Sequence, residues 1–96
     1  MDTHSLRRYL NSIWPLVYAA TRRKLSRDER AELQTLVELM ERGVSGRDSL
    51  GLRAEALCLA LYSSGLFEAD RTPACLESLL QEIDWLRNAP ALLSYN

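Results

Sequence analysis

The stretch from Ser49 to Leu66, SLGLRAEALCLALYSSGL, decides how the rest of the chain is read. Between Ala54 and Tyr62 its only charge is Glu55. At about 100° per residue its apolar side chains point in every direction: Leu57 and Leu61 to one side, Leu52 and Leu59 to another, Cys58 to a third. A helix that is apolar all round is expected to be covered all round. At about 18 residues, with Arg53 and Glu55 inside it, it is too short and too charged to span a bilayer. It is therefore expected to be the central helix of a globular domain, wrapped by the other segments.

The 96 residues make one domain, 1–96. The apolar share is 47% and the charged share 26%, the balance of an ordinary globule. Nineteen residues are Leu, while Val, Ile and Thr together number nine. Leu packs well in helices and β-branched residues favour strands, so the class is all-α. The formal net charge of −1 gives no overall attraction to nucleic acid or to an acidic membrane. Charge is uneven, however: residues 1–30 carry a net of +4 and residues 31–96 a net of −5. The plain consequence is attraction between two parts of one fold.

The other helices follow from periodicity. Helix 1 is expected over 5–22, with Leu6, Tyr9, Leu10, Ile13, Trp14, Val17 and Tyr18 at helical spacing and a kink at Pro15. Its apolar arc is wide enough for two partners. Ser26-Arg27-Asp28-Glu29 reads as a capping box that opens helix 2, expected over 27–42 and closed by a left-handed Gly43 with Val44 touching Leu39. Helix 3 is expected over 49–64, stopped by Gly65. Thr72-Pro73 is a start signal for helix 4, expected over 73–87, with Asn88-Ala89-Pro90 ending it before an apolar tail, 89–96. The expected architecture is a compact four-helix domain around helix 3.

Little in the chain can carry a reaction. His4 has no orienting neighbours at helical spacing, and Cys58 and Cys75 do not make a tetrahedral metal set. The glycines of the Gly43–Gly51 stretch fit no phosphate-binding spacing. No enzyme, no cofactor and no metal are expected. Two cysteines are too few for a disulfide scaffold, and the N-terminal MDTHSLRRYL has no apolar core of a secretory signal. A reducing, cytoplasmic setting follows, with no membrane partner.

Three surface features remain. Tyr9, Trp14, Tyr18, Trp85 and Tyr95 exceed what the core stripes need, and aromatics are enriched at interfaces. Trp85 stands out because it falls about 180° from the Leu76–Leu79–Leu80–Ile83–Leu86 stripe. Arg22, Arg23, Lys24, Arg27 and Arg30 form a basic patch that could meet phosphates, although helix 3 is too apolar to read base edges. Cys75, in the expected first turn of helix 4, is where a dipole lowers a thiol pKa.

The expected function is a small non-enzymatic regulator. It would bind a protein partner, such as a transcriptional regulator or a secretion component, and inhibit or sequester it. Size and class are those of antiactivators, adaptors and secretion chaperones. A homodimer formed through helix 1 is expected. The alternatives are a nucleic-acid-associated regulator using the Arg22–Arg30 patch and a redox-sensitive regulator using Cys75.

Overall fold

The computed structural model describes residues 3–44 and 49–93, the latter without side chains from 89 onward. Over these residues the chain forms four helices: α1 (Thr3–Arg22), α2 (Arg27–Gly43), α3 (Ser49–Ser63) and α4 (Leu76–Leu93). The helices pack as a ring, α1 against α2 and α4, and α3 against α2 and α4, with α1 and α3 on opposite sides. The α3–α4 pair is antiparallel: Arg53 meets Glu82 near one end, and Ala60 lies beside Cys75 and Ser78 near the other. The α1–α4 pair is antiparallel too, with Trp14 beside Arg87 and the end of α1 next to the loop before α4.

The closest packing in the ring is between α1 and α4, so α1 and not α3 is the best-enclosed helix. Leu6, Leu10, Ile13 and Val17 are fully or nearly fully buried, and Tyr9, Trp14, Leu16, Ala19 and Ala20 pack on the core beside them. The wide apolar arc of α1 is thus covered by α2 and α4 except at Tyr18, which is exposed. The helix passes through Pro15 without a break. Proline leaves the Asn11 carbonyl without its helical donor, and both Pro15 and Asn11 are exposed residues.

The expectation that α3 is enclosed on all sides is overturned. Its buried residues, Leu50, Gly51, Ala54, Leu57, Cys58 and Leu61, form one stripe at helical spacing. The opposite side meets solvent: Leu52 is 55% exposed and Leu59 66%, and Ala56 and Ala60 are exposed between them. A ring of four helices asks each member for one inward stripe. A helix with leucines on every side therefore has leucines left over.

Local chemistry explains where the helices begin and end. The Ser26 hydroxyl accepts from the Glu29 amide at 3.1 Å, and the Glu29 carboxylate accepts from the Ser26 amide at 2.8 Å, the expected capping box. Gly43 is not a left-handed stop. It is the last helical residue of α2, and Val44, in an extended conformation, donates its amide to the Met40 carbonyl. That bond satisfies the carbonyl a left-handed residue would otherwise serve. The rest of the connection, residues 45–48, lies outside the described residues.

At the end of α3, Gly65 does adopt the left-handed region, φ +90°. The buried Ser64 hydroxyl donates to the Leu61 carbonyl and accepts the Leu66 amide, which turns Leu66 into the core. Thr72-Pro73 does not start α4. The next residue, Ala74, donates its amide back to the Ser64 carbonyl at 2.9 Å. This docks the approach to α4 onto the end of α3, and the helix begins only at Leu76. Nor does Pro90 end α4, whose backbone continues to Leu93.

Candidate functional site

The aromatic side chains divide between two places. On the α1–α4 seam, Trp14 and Tyr18 lie one helical turn apart and stack, ring centres 5.0 Å apart and 13° from parallel. The Arg87 guanidinium of α4 sits 4.9 Å from the Trp14 ring centre and is paired with Asp84 at 2.8 Å. At the other end, Arg22 donates two hydrogen bonds to the Tyr18 hydroxyl, at 2.9 and 3.1 Å. Asp84, Arg87, Trp14, Tyr18 and Arg22 thus form one continuous ladder. An arginine sits beside each ring, and Tyr18 remains 38% exposed at the edge of the seam. Tyr9 is half-buried and packs on the core. Tyr95 lies outside the described residues.

Trp85 is on the other side of α4 and is 47% exposed. Arg53 of α3 lies flat over it, 3.8 Å from the ring centre, and also makes a two-pronged pair with Glu82 at 2.9 and 3.0 Å. The Glu82 contact holds the Arg53 guanidinium above its ordinary pKa. This triad ties α3 to α4 at one end of a groove of about 330 Å³. Ala56, Leu57, Ala60, Ser78 and Leu79 line the groove, and Cys75 stands at its far end. The outward ridge of α3, Leu52 and Leu59, runs directly alongside it. Ridge and groove together form an apolar face with its charges at the margins.

Three arginines of the basic patch are held by partners within the protein. Arg23 grips Glu29 through two bonds at 2.6 and 2.7 Å. That pairing, with the Ser26 amide, pulls the Glu29 carboxyl down to about 2. Arg22 is held by Tyr18, and Arg30 donates to the Leu25 carbonyl at 2.8 Å. Lys24 and Arg27 are exposed. Arg22, Arg23, Lys24 and Arg30 line a cleft of about 370 Å³ against the α3–α4 loop. That loop adds Arg71 but also Glu68 and Asp70.

The remaining reactive groups are scattered. Cys58 is buried, and desolvation followed by the nearby Glu41 and Glu55 carboxylates pushes its thiol up to about 12. Cys75 is exposed and precedes α4 rather than lying in its first turn, with a left-handed backbone, φ 60°, and its carbonyl accepting the Leu79 amide. His4 is exposed in the first turn of α1. Among the described residues no three His, Cys, Asp or Glu side chains come together as a metal site. No described helix is long and apolar enough to cross a membrane.

The chain matches no family model, no curated protein and no solved structure.

Of the candidate residues, Trp14 and Tyr18 are brought together, Trp85 is set apart at the groove, and the arginines are drawn onto different acceptors. The residues that sequence reasoning missed are Leu52, Leu59, Arg53, Ala56 and Ala60. A signal for them existed: Arg53 and Glu55 flank Leu52 and Leu59 on the helical wheel, which marks that side of α3 as the wet one.

Proposed function

We propose that this protein is a small non-enzymatic regulator that binds another protein and modulates it by inhibition or sequestration, in a reducing, cytoplasmic setting. The binding surface is the outward face of α3 with the Trp85 edge of α4. One observation carries this: Leu52 and Leu59 stand more than half exposed beside a largely apolar groove, with Arg53 and Glu55 on either flank of the ridge. Scattered apolar side chains need no explanation, but a ridge and groove together are a form in which helices dock. Trp85, with one ring face braced by Arg53, is a rigid aromatic at the rim of that surface.

The same face suits self-association better than helix 1, whose arc is covered apart from the Tyr18 edge. Ridge and groove lie side by side, so a two-fold axis along α3 would set Leu59 of each copy over Ala56 and Ala60 of the other. The footprint, roughly 20 by 22 Å for two helices over the length of α3, is small for a permanent dimer. Free protein and partner would then compete for one surface.

Affinity capture with the whole chain and with Leu59→Lys tests the reading. A partner held by the wild type and by Leu39→Lys, an exposed leucine on α2, but lost by Leu59→Lys supports it. A partner kept by Leu59→Lys places the surface elsewhere. Sedimentation of the same three proteins at about 1 and 100 μM decides self-association separately, over the range where a weak, small-footprint dimer would form. The second reading, nucleic-acid binding, is favoured only by the cation-lined cleft at the α1–α2 corner. Capture that is nuclease-sensitive and lost at moderate salt would select it.

A further inference from the structure

The outward side of α3 has a spacing of its own. Ser49, Leu52, Ala56, Leu59 and Ser63 follow one another at steps of three, four, three and four, and all five are exposed. Alternating steps of three and four make the seam along which one helix packs on another. Small residues alternate on this seam with the two leucines, which are 55% and 66% exposed. Small side chains let a facing helix come as close as about 8 Å, the near end of the usual range. At that distance each leucine needs a small residue opposite it.

A second α3 running in the opposite direction meets that need. A register centred between Leu57 and Cys58 sets Ala56 opposite Leu59 of the other copy, and Leu52 opposite Ser63. Each of these layers then joins one large and one small residue. The two-fold axis lies across α3. An axis along α3, with both helices running the same way, still fits Leu59 between Ala56 and Ala60. It sets Leu52 between Ser49 and Arg53, however, and Arg53 is held in place by Glu82 and Trp85. The reversed pairing brings Arg53 beside Ala60 and Glu55 beside Tyr62, so neither meets a like charge of the facing helix. It also places opposite ends of the two helix dipoles side by side.

We propose that a second copy of this chain docks on the outward face of α3 in this antiparallel register, as a weak and reversible dimer. The proposal rests on that face being the binding surface and names its occupant when no other protein is bound. A seam of 15 helical residues is about 22 Å long, which is short for a permanent interface. The dimer therefore yields the surface to a tighter partner.

The test exchanges sizes within one layer of the whole chain. Ala56→Leu sets leucine against leucine, and Leu59→Ala leaves a gap. Each is expected to weaken dimerisation about ten-fold, read by sedimentation equilibrium between about 1 and 500 μM. The double variant restores one large and one small residue per layer and should return to within about three-fold of wild type. Both positions are exposed, so the circular dichroism of all three should match that of wild type. Disulfide trapping gives a second reading, with the exposed Cys75 replaced by Ser. Leu52→Cys and Ser63→Cys proteins are expected to cross-link to each other. Ser63→Cys alone is not, because its two copies lie roughly 16 Å apart along the seam. Four results overturn the proposal: a monomer at 500 μM, tighter association in Ala56→Leu, a double variant no better than the single ones, or Ser63→Cys cross-linking to itself. A monomeric chain whose captured partner is still lost in Leu59→Lys overturns the dimer and leaves the binding surface standing.

Discussion

The α1–α4 seam and the outward face of α3 are both rich in large side chains, and the fold treats them in opposite ways. On the seam, Trp14 is half-buried, stacked on Tyr18 and met by Arg87. On α3, Leu59 is two-thirds exposed with nothing packed over it among the described residues. The difference lies in how apolar residues are distributed, not in how many there are. Helix α1 alternates broad apolar and charged faces and is drawn into the core on two sides. Helix α3 is more apolar on average, yet it offers the ring only one stripe and keeps the surplus outside. High hydrophobicity without amphipathic contrast leaves α3 an apolar surplus outside the core, the surplus on which the proposed binding surface rests.

That contrast can be broken most severely at Leu57, on the inward side of α3 and only 2% exposed. Leu57→Lys would bury an ammonium with no partner, at a cost of several kcal/mol, comparable to the whole stability of a small domain. Loss of the helical circular dichroism signal is expected. A cooperative native melt would show the inner stripe to be wrongly assigned.

The seam is tested next by Trp14→Ala. Removing a half-buried ring that holds Tyr18 and Arg87 together should destabilise by about 2 kcal/mol in urea denaturation, with the slope unchanged. A change below a few tenths of a kcal/mol would mean that the ladder is surface decoration.

Smaller effects belong to the turn that joins α1 to α2. Ser26→Ala should cost about 1 kcal/mol, the usual worth of an N-cap. Glu29 gives the same turn a pH signature. Its folded pKa of about 2 is below its ordinary 4.5, so its contribution is present above about pH 4.5 and is lost as pH falls toward 2. The gap in melting temperature between wild type and Glu29→Gln should therefore be open at pH 6 and closed near pH 2. A gap that stays constant would show that Arg23 and the Ser26 amide do not hold the carboxylate.

Much of this was legible in the sequence because it is local. The capping box at Ser26–Glu29 and the left-handed Gly65 depend on neighbours within a few residues, and the Leu79–Ile83–Leu86 stripe of α4 depends on spacing alone. What was not legible depends on contacts between distant segments. Thr72-Pro73 has every local reason to start a helix, but the Ala74 amide finds the Ser64 carbonyl first. Gly43 has the residue type of a left-handed stop, but Val44 closes the helix without one. The arginines of the patch do share one cleft, but their engagement by Tyr18, Glu29 and the Leu25 carbonyl could not be read from sequence. Trp85 was visible as an outward residue, whereas Arg53, 32 positions earlier on another helix, was not.

The smallest effect is the most informative. Leu59→Lys lies two residues from Leu57, carries the same substitution, and adds a favourable spacing with Glu55 one turn earlier. Thermal unfolding of this variant and of wild type at submicromolar concentration, where a weak dimer would be dissociated, tests directly whether the outer side of α3 is surface or core. The expected result is a melting temperature within about 2 °C of wild type, as for a surface substitution. Unfolding comparable to that of Leu57→Lys would mean that α3 is enclosed on both sides and that the outward face is not there to bind anything.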